Sequence, residues 1–189
     1  MITINKFWKL IYYIKTKALY NKRLHSVGKR SIVFSPMQFS DTQSVKIGNS
    51  VFIAHYAWLM GDGNKKHITL SIGDNAQIGH FVHIIAKYNV KIEDSVLIAD
   101  KVYISDCDHN YIDVSIPIYK QGVHHSGDVV IGEGSWLGEN VCVLGAKIGK
   151  HCVIGANSVV THDIPDYSIA VGAPARVIRT INDKGLTNQ

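Results

Sequence analysis

Aliphatic residues recur every six positions through most of the chain. One series runs Ile47, Ile53, Leu59, a second Ile72, Ile78, Ile84, Val90, and after a shift of phase a third runs Ile92, Ile98, Ile104. The beat then stops, and resumes at Ile131, Leu137, Val143 and again at Ile148, Ile154, Val160. Gly or Ala usually comes next, as at Gly48, Ala54, Gly73, Gly79, Ala99, Gly132, Gly138, Gly149 and Gly155. Four places after the aliphatic stands another small or β-branched residue: Val51, Ala57, Ala76, Val82, Val96, Val102, Ser135, Val141, Cys152, Ser158. A helix wants apolar spacing of three and four, and a half-buried strand wants strict alternation. A period of six predicts very short strands joined by tight corners and stacked as a solenoid. The aliphatic points inward, and the small residue after it lets the chain turn without a Cβ clash. Each coil buries its apolar face only against its neighbours, at a spacing of about 4.8 Å.

The pause falls on "ISDCDHNY", residues 104–111. The excursion from Asp106 to Val130 is too long for a corner, and long ordered loops are often functional. It places His109 between acids, with Asp106 and Asp108 close by, and Pro117, Gln121 and Gly122 shape it. A lone loop histidine is ordinarily solvated surface; one that opens a break in a regular solenoid is a candidate base, with an unperturbed pKa of about 6.5. His124 and His125 lie in the same excursion, as loop surface or as acceptor contacts.

At the front end, Ile4, Phe7, Trp8, Ile11, Tyr12, Ile14, Ala18 and Leu19 fall at helical spacing among lysines. Residues 1–30 hold eight Lys/Arg and no Asp or Glu, whereas the rest holds 12 basic and 15 acidic residues. The net charge of +5 therefore belongs to this segment, and the basic skin of a nucleic-acid binder is absent. Three readings fit the segment: a cap on the first coil, a contact with a neighbouring subunit, or peripheral contact of residues 1–22 with an anionic membrane. The chain thus divides into a basic amphipathic helical segment (1–30), a β-helix domain (31–174) with a protruding loop (106–130), and a short C-terminal helix and tail (175–189). In that last segment Arg176 and Arg179, three residues apart after Pro174, are expected to share one helix face.

A hydrophobic fraction of 46% and sixteen glycines suit one globular domain. No apolar run approaches the roughly 20 residues of a membrane-spanning helix, and lysines cut up any leader-like core. Cys107, Cys142 and Cys152 are odd in number and lack metal-type spacing, which points to reduced thiols and a cytoplasmic setting.

The repeat resembles that of the hexapeptide-repeat acyltransferases, from about residue 45 to 180. "ISDCDHNYIDVSIPI", "QG", "IGEGSWLGENV" and "IGANSVVTHDIPDYSIAVGAPARVIR" are similar to the branch that O-acetylates sugars, which includes galactoside, maltose, O-antigen and capsule acetyltransferases. The resemblance implies an all-β fold, a left-handed parallel β-helix. It implies acetyl-CoA as co-substrate with no metal, a sugar or polysaccharide acceptor, and a homotrimer with sites between subunits. It places the catalytic base at His109, with Asp106 or Asp108 orienting its ring. Coenzyme contacts fall at Ala156, Thr161, Arg176 and Arg179; His162 stands where many relatives carry a lysine. Gly138, Gly145, Ala146 and Ala156 offer free backbone and a smooth surface to the pantetheine arm. Trp136 lies beside acceptor or thioester, or packs between subunits. His80, His83 and Tyr111 are acceptor candidates, and Lys87 is read as exposed face. N-acetylation of an amino sugar, zinc chemistry through His80, His83 and His109, and a non-catalytic scaffold are the competing functions.

Overall fold

The computed structural model describes residues 6–182 and 185–188. The six-residue beat becomes a triangular prism, the left-handed parallel β-helix expected of it. Three parallel sheets form its faces. Face 1 stacks Ser26–Val27, Val45–Ile47, Leu70–Ile72, Val90–Ile92, Val129–Ile131 and Lys147–Ile148. Face 2 stacks Ile32–Val33, Phe52–Ile53, Gln77–Ile78, Leu97–Ile98, Trp136–Leu137, Val153–Ile154 and Ser168–Gly172. Face 3 stacks Gln38–Ser40, Trp58–Met60, His83–Ile85, Tyr103–Ser105, Cys142–Leu144 and Val159–Val160.

Register explains the core. Ile47, Ile72, Ile92, Ile131 and Ile148 pair in one ladder, and Ile53, Ile78, Ile98, Leu137 and Ile154 in the next. Leu59, Ile84, Ile104, Val143 and Val160 form the third, and all fifteen are buried. The glycines after these aliphatics serve a purpose other than the expected turn. A Cβ on Gly73 or Gly132 would lie 2.6 or 2.4 Å from backbone carbon of the next coil, so they permit close stacking. The left-handed corner residues come two places later, at Ser50, Asn75, Phe81, Ser95 and Gly134 among others.

The β-helix begins at Ser26, inside the segment assigned to the front end, because Ser26–Val27 pairs with Lys46–Ile47. Before it, helix α1 (Lys6–Tyr20) closes the open edge of the first coil. The Thr16 hydroxyl accepts the Val33 N–H at 2.9 Å, and the Tyr12 ring lies 4.2 Å from Phe34. Ile4 lies outside the described residues.

The C-terminal helix is not formed. Ala175–Asn182 is a strand antiparallel to Ser168–Gly172, and Gly185–Asn188 pairs beyond it. Val177, Ile178, Thr180 and Ile181 are β-branched, and face 2 offers an open edge for them to extend.

Candidate active site

The excursion is a β-hairpin arm rising from the edge between faces 3 and 1. Cys107–His109 pairs antiparallel with Val123–His125, setting His109 opposite Val123 and Asp108 opposite His124. Its root is fixed by Asp106, which is fully buried. The Asp106 carboxylate accepts the backbone N–H groups of Lys87, Tyr88 and Asn89 at 3.0, 2.7 and 2.7 Å. The return leg is held to the same turn. His125 meets Asp128 at 3.1 Å and lies 4.6 Å from the Tyr88 ring, and the Asn89 amide donates to Asp128. At the tip the Gln121 side chain bonds Asp113 and Ile116 backbone, the shaping role expected of it.

His109 is exposed, as are Asp108 and Tyr111. Neither acid is bonded to its ring: Asp108 accepts the His109 backbone N–H at 2.8 Å, and both Asp106 oxygens are committed to the 87–89 turn. Neither of the two expected aspartates therefore bonds the His109 ring among the described residues. Burial first, then Asp106, raises the Cys107 thiol pKa, and burial does the same at Cys152. Both stay thiols, poor nucleophiles.

The donor candidates bracket the lower coils of face 3. Gly138 and Ala156 share one prism edge, where a Cβ on Gly138 would lie 2.7 Å from the Ala156 nitrogen. Gly145, buried Ala146, Thr161 and His162 lie on the edge that also bears the arm. Gly145 meets the arm's return leg: its added Cβ would stand 2.7 Å from Ser126 backbone. Thr161 Oγ1 and His162 Nδ1 are 2.9 Å apart. Between the edges, half-buried Cys142 and Val159 and exposed Leu144 make an apolar floor. Trp136 is exposed on face 2, beside Leu97 and Val153.

Arg176 and Arg179 sit on the terminal strand. In a regular strand, residues three apart face opposite sides. Here the register slips between Ile169 and Ala170, which pair with Arg179 and Val177, leaving Ile178 as an extra residue. This bulge restores a common side: both arginines are exposed while Val177 and Thr180 are half-buried. The strand's turn also reaches the face-3 edge, for the Gly172 N–H donates to Ser158 Oγ at 3.0 Å.

His80 lies at a corner, its ring 3.3 Å from Asp100. His83 lies on the flat of face 3, its ring stacked 4.1 Å from Trp58 and edge-on to Tyr103 at 5.2 Å. Burial lowers the His83 pKa, so the ring is neutral, and its Nε2 and the Trp58 Nε1 are buried among the described residues with no hydrogen-bond partner. His80, His83 and His109 do not converge within the chain, and no group of three metal-ligating side chains forms among the described residues. Lys87 pairs with Asp41 at 3.8 Å. Trp58 and Tyr103 were missed by sequence reasoning. The signal was present: each precedes a face-3 core aliphatic, at the repeat position of His83.

The family model described as "Hexapeptide repeat of succinyl-transferase" matches residues 128–162. The galactoside O-acetyltransferase of Escherichia coli K12 is 34% identical over 171 residues, covering 90% of this chain and 70% of the relative. A protein of the same bacterium named for lipopolysaccharide-biosynthesis O-acetyl transfer, WbbJ, is 41% identical over 116 residues, 58% of this chain and 59% of its own. Rv3034c of Mycobacterium tuberculosis, named as an acetyltransferase, is 46% identical over 112 residues, 59% of this chain but only 37% of its own length. A solved galactoside acetyltransferase in complex with coenzyme A superposes with TM-score 0.63 at 28% identity, covering 95% of this chain and 80% of that one. The N-acyltransferase AntD of Bacillus cereus, solved with dTDP and 3-hydroxybutyryl-CoA, shares the fold at TM-score 0.77 and 20% identity, with 92% of each chain covered. The chain belongs to the hexapeptide-repeat acetyltransferase family.

Proposed function

We propose that the protein is an O-acetyltransferase that moves the acetyl group of acetyl-CoA to a sugar hydroxyl, in a bacterial cell-surface polysaccharide or its precursor. The observation that carries this reading is His109, exposed on an arm whose root is pinned to the β-helix through Asp106. The relatives named for galactoside and lipopolysaccharide O-acetyl transfer support the acceptor class.

His109 accepts the hydroxyl proton as the oxygen attacks the thioester carbonyl. The C–S bond breaks, the thiolate leaves, and the proton returns from the imidazolium to give free coenzyme A. The pantetheine arm lies over the Cys142, Leu144 and Val159 floor between the Gly138/Ala156 and Gly145/Thr161 edges, and Arg176 and Arg179 take the phosphates. His162 adds a weaker phosphate contact. Trp58, His83 and Tyr103 offer a row of aromatic edges to the acceptor, with His80 and Tyr111 as further contacts. Asp108, the adjacent residue of the same strand, points to the other face, so an acid for the His109 ring would come from a neighbouring subunit.

Three copies form the working unit. The arm tip is apolar and bare, Val114 being 99% and Ile112 81% exposed, and a neighbouring subunit would cover it. Calorimetric titration of acetyl-CoA tests the reading before any acceptor is known. Micromolar binding is expected, weakened about tenfold or more by Arg176→Ala through loss of a charge-assisted contact. With a glycan found by screening, His109→Ala lowers kcat by about 10²–10⁴-fold and leaves coenzyme affinity unchanged. Absence of binding by the folded protein overturns the proposal, and acceptance of amino sugars alone would redirect it to N-acetylation.

A further inference from the structure

Helix α1 has two opposed faces, and only one of them packs on the first coil. Thr16 and Tyr20 are buried against the first coil, with Tyr12 and Tyr13 half-buried beside them. At about 100° per residue, the opposite face carries Phe7, Leu10, Ile11, Ile14 and Ala18. Phe7 is 64%, Leu10 56% and Ile14 57% exposed. A surface helix ordinarily turns its polar side to water; this one turns an apolar stripe away from the body it caps.

The front of the sequence carries charge of one sign, although the fold brings Asp74 to the cleft that Lys29 and Arg30 line. No Asp or Glu precedes Asp41. Lys22, Arg23, Lys29 and Arg30 are exposed just beyond the helix. Lys15 lies at its flank over the Tyr12 ring at 5.9 Å. Among the described residues no ion pair joins these five to a carboxylate; the pairs that form involve Lys87, Lys91, Lys101, Lys150 and three histidines. A second copy meeting through the same stripe would set these cations against each other. A surface with an apolar interior and anionic head groups complements both features. No helix among the described residues is long and apolar enough to cross a membrane, so the fit is to lying on one.

We propose that α1 docks the protein onto an anionic bilayer, the helix in the plane of the interface with Phe7, Leu10, Ile11 and Ile14 entering the acyl boundary. This is independent of the transfer chemistry proposed above, though it would suit a lipid-linked acceptor. Because α1 closes the end of the prism, the prism axis stands away from the bilayer and the His109 arm remains in water.

The test is co-sedimentation with phosphatidylcholine vesicles containing about one-third phosphatidylglycerol, at low and high salt, beside pure phosphatidylcholine vesicles. The whole chain is expected to bind the anionic vesicles at low salt, and to release at high salt. Ile11→Glu/Ile14→Glu is expected to weaken binding by about tenfold or more through loss of buried apolar area. Lys22→Glu/Arg23→Glu is expected to weaken it comparably through charge reversal. Both pairs are exposed or lie outside the core, so coenzyme titration serves as the control of fold and is expected to be unchanged. Failure of the wild-type chain to bind anionic vesicles overturns the proposal. So does a stripe variant that keeps full vesicle binding but loses oligomeric mass in light scattering, which would make the stripe a contact between copies. Vesicle binding without coenzyme binding would leave docking standing and sink the acetyltransferase reading alone.

Discussion

Asp106 shows how much one carboxylate can determine. Its three backbone N–H partners are 17 to 19 residues earlier in the chain. Asp106→Ala would leave those donors without their acceptor, beside a void. We expect a loss of about 2–3 kcal/mol in denaturant unfolding, with faster amide exchange along the arm. His109→Ala, at an exposed position, should leave stability within about 0.5 kcal/mol. Equal stability for the two variants would refute the anchoring role. The arm that carries His109 was legible in the sequence because it is the longest break in the six-residue beat. The duty of Asp106 was not, because a side chain bonding to backbone amides leaves no spacing pattern among side chains. The neutral state of His83 was hidden for a related reason: burial under Trp58 and Tyr103 depends on stacking between coils.

Among the elements, the terminal strand departs furthest from expectation. An i, i+3 arginine pair reads as a helix face, yet the β-branched run Val177–Ile178 and an open sheet edge favour a strand. The bulge then recovers the pairing that the helix would have given. Arg179→Ala should remove one of the two charges from their common side and leave the bulge in place. Coenzyme affinity should drop about tenfold or more for want of one charged contact, with the melting transition of the β-helix retained. Unaltered affinity would mean that the two side chains do not act together. The interior strands needed no correction, since aliphatics six apart can only stack one way. The glycines beside them were placed correctly and explained wrongly: their duty is close approach between coils, which a single coil's sequence does not display.

For the molecule as a whole, stability comes from ladders that run the length of the prism, and the associations proposed above fall to the arm and α1. The exposed Ile112, Val114 and Tyr119 at the arm tip contribute nothing to the fold of the chain that carries them. Replacing residues 111–120 by a Gly/Ser linker should therefore spare the thermal transition of the β-helix and convert the proposed trimer to monomers in light scattering. An unchanged mass would assign assembly to another surface. Exposed apolar tips of this size are costly in isolation and are normally covered.

The strand before the arm's coil and the strand after it, Val90–Ile92 and Val129–Ile131, are direct neighbours. The core meets the arm only at its root, through Asp106 and through Ser126 beside Gly145. The arm is thus an interchangeable cassette: its length and chemistry can be rewritten while the prism keeps its shape. An engineer could graft an insert from a relative onto this frame by keeping Asp106 and its three backbone partners.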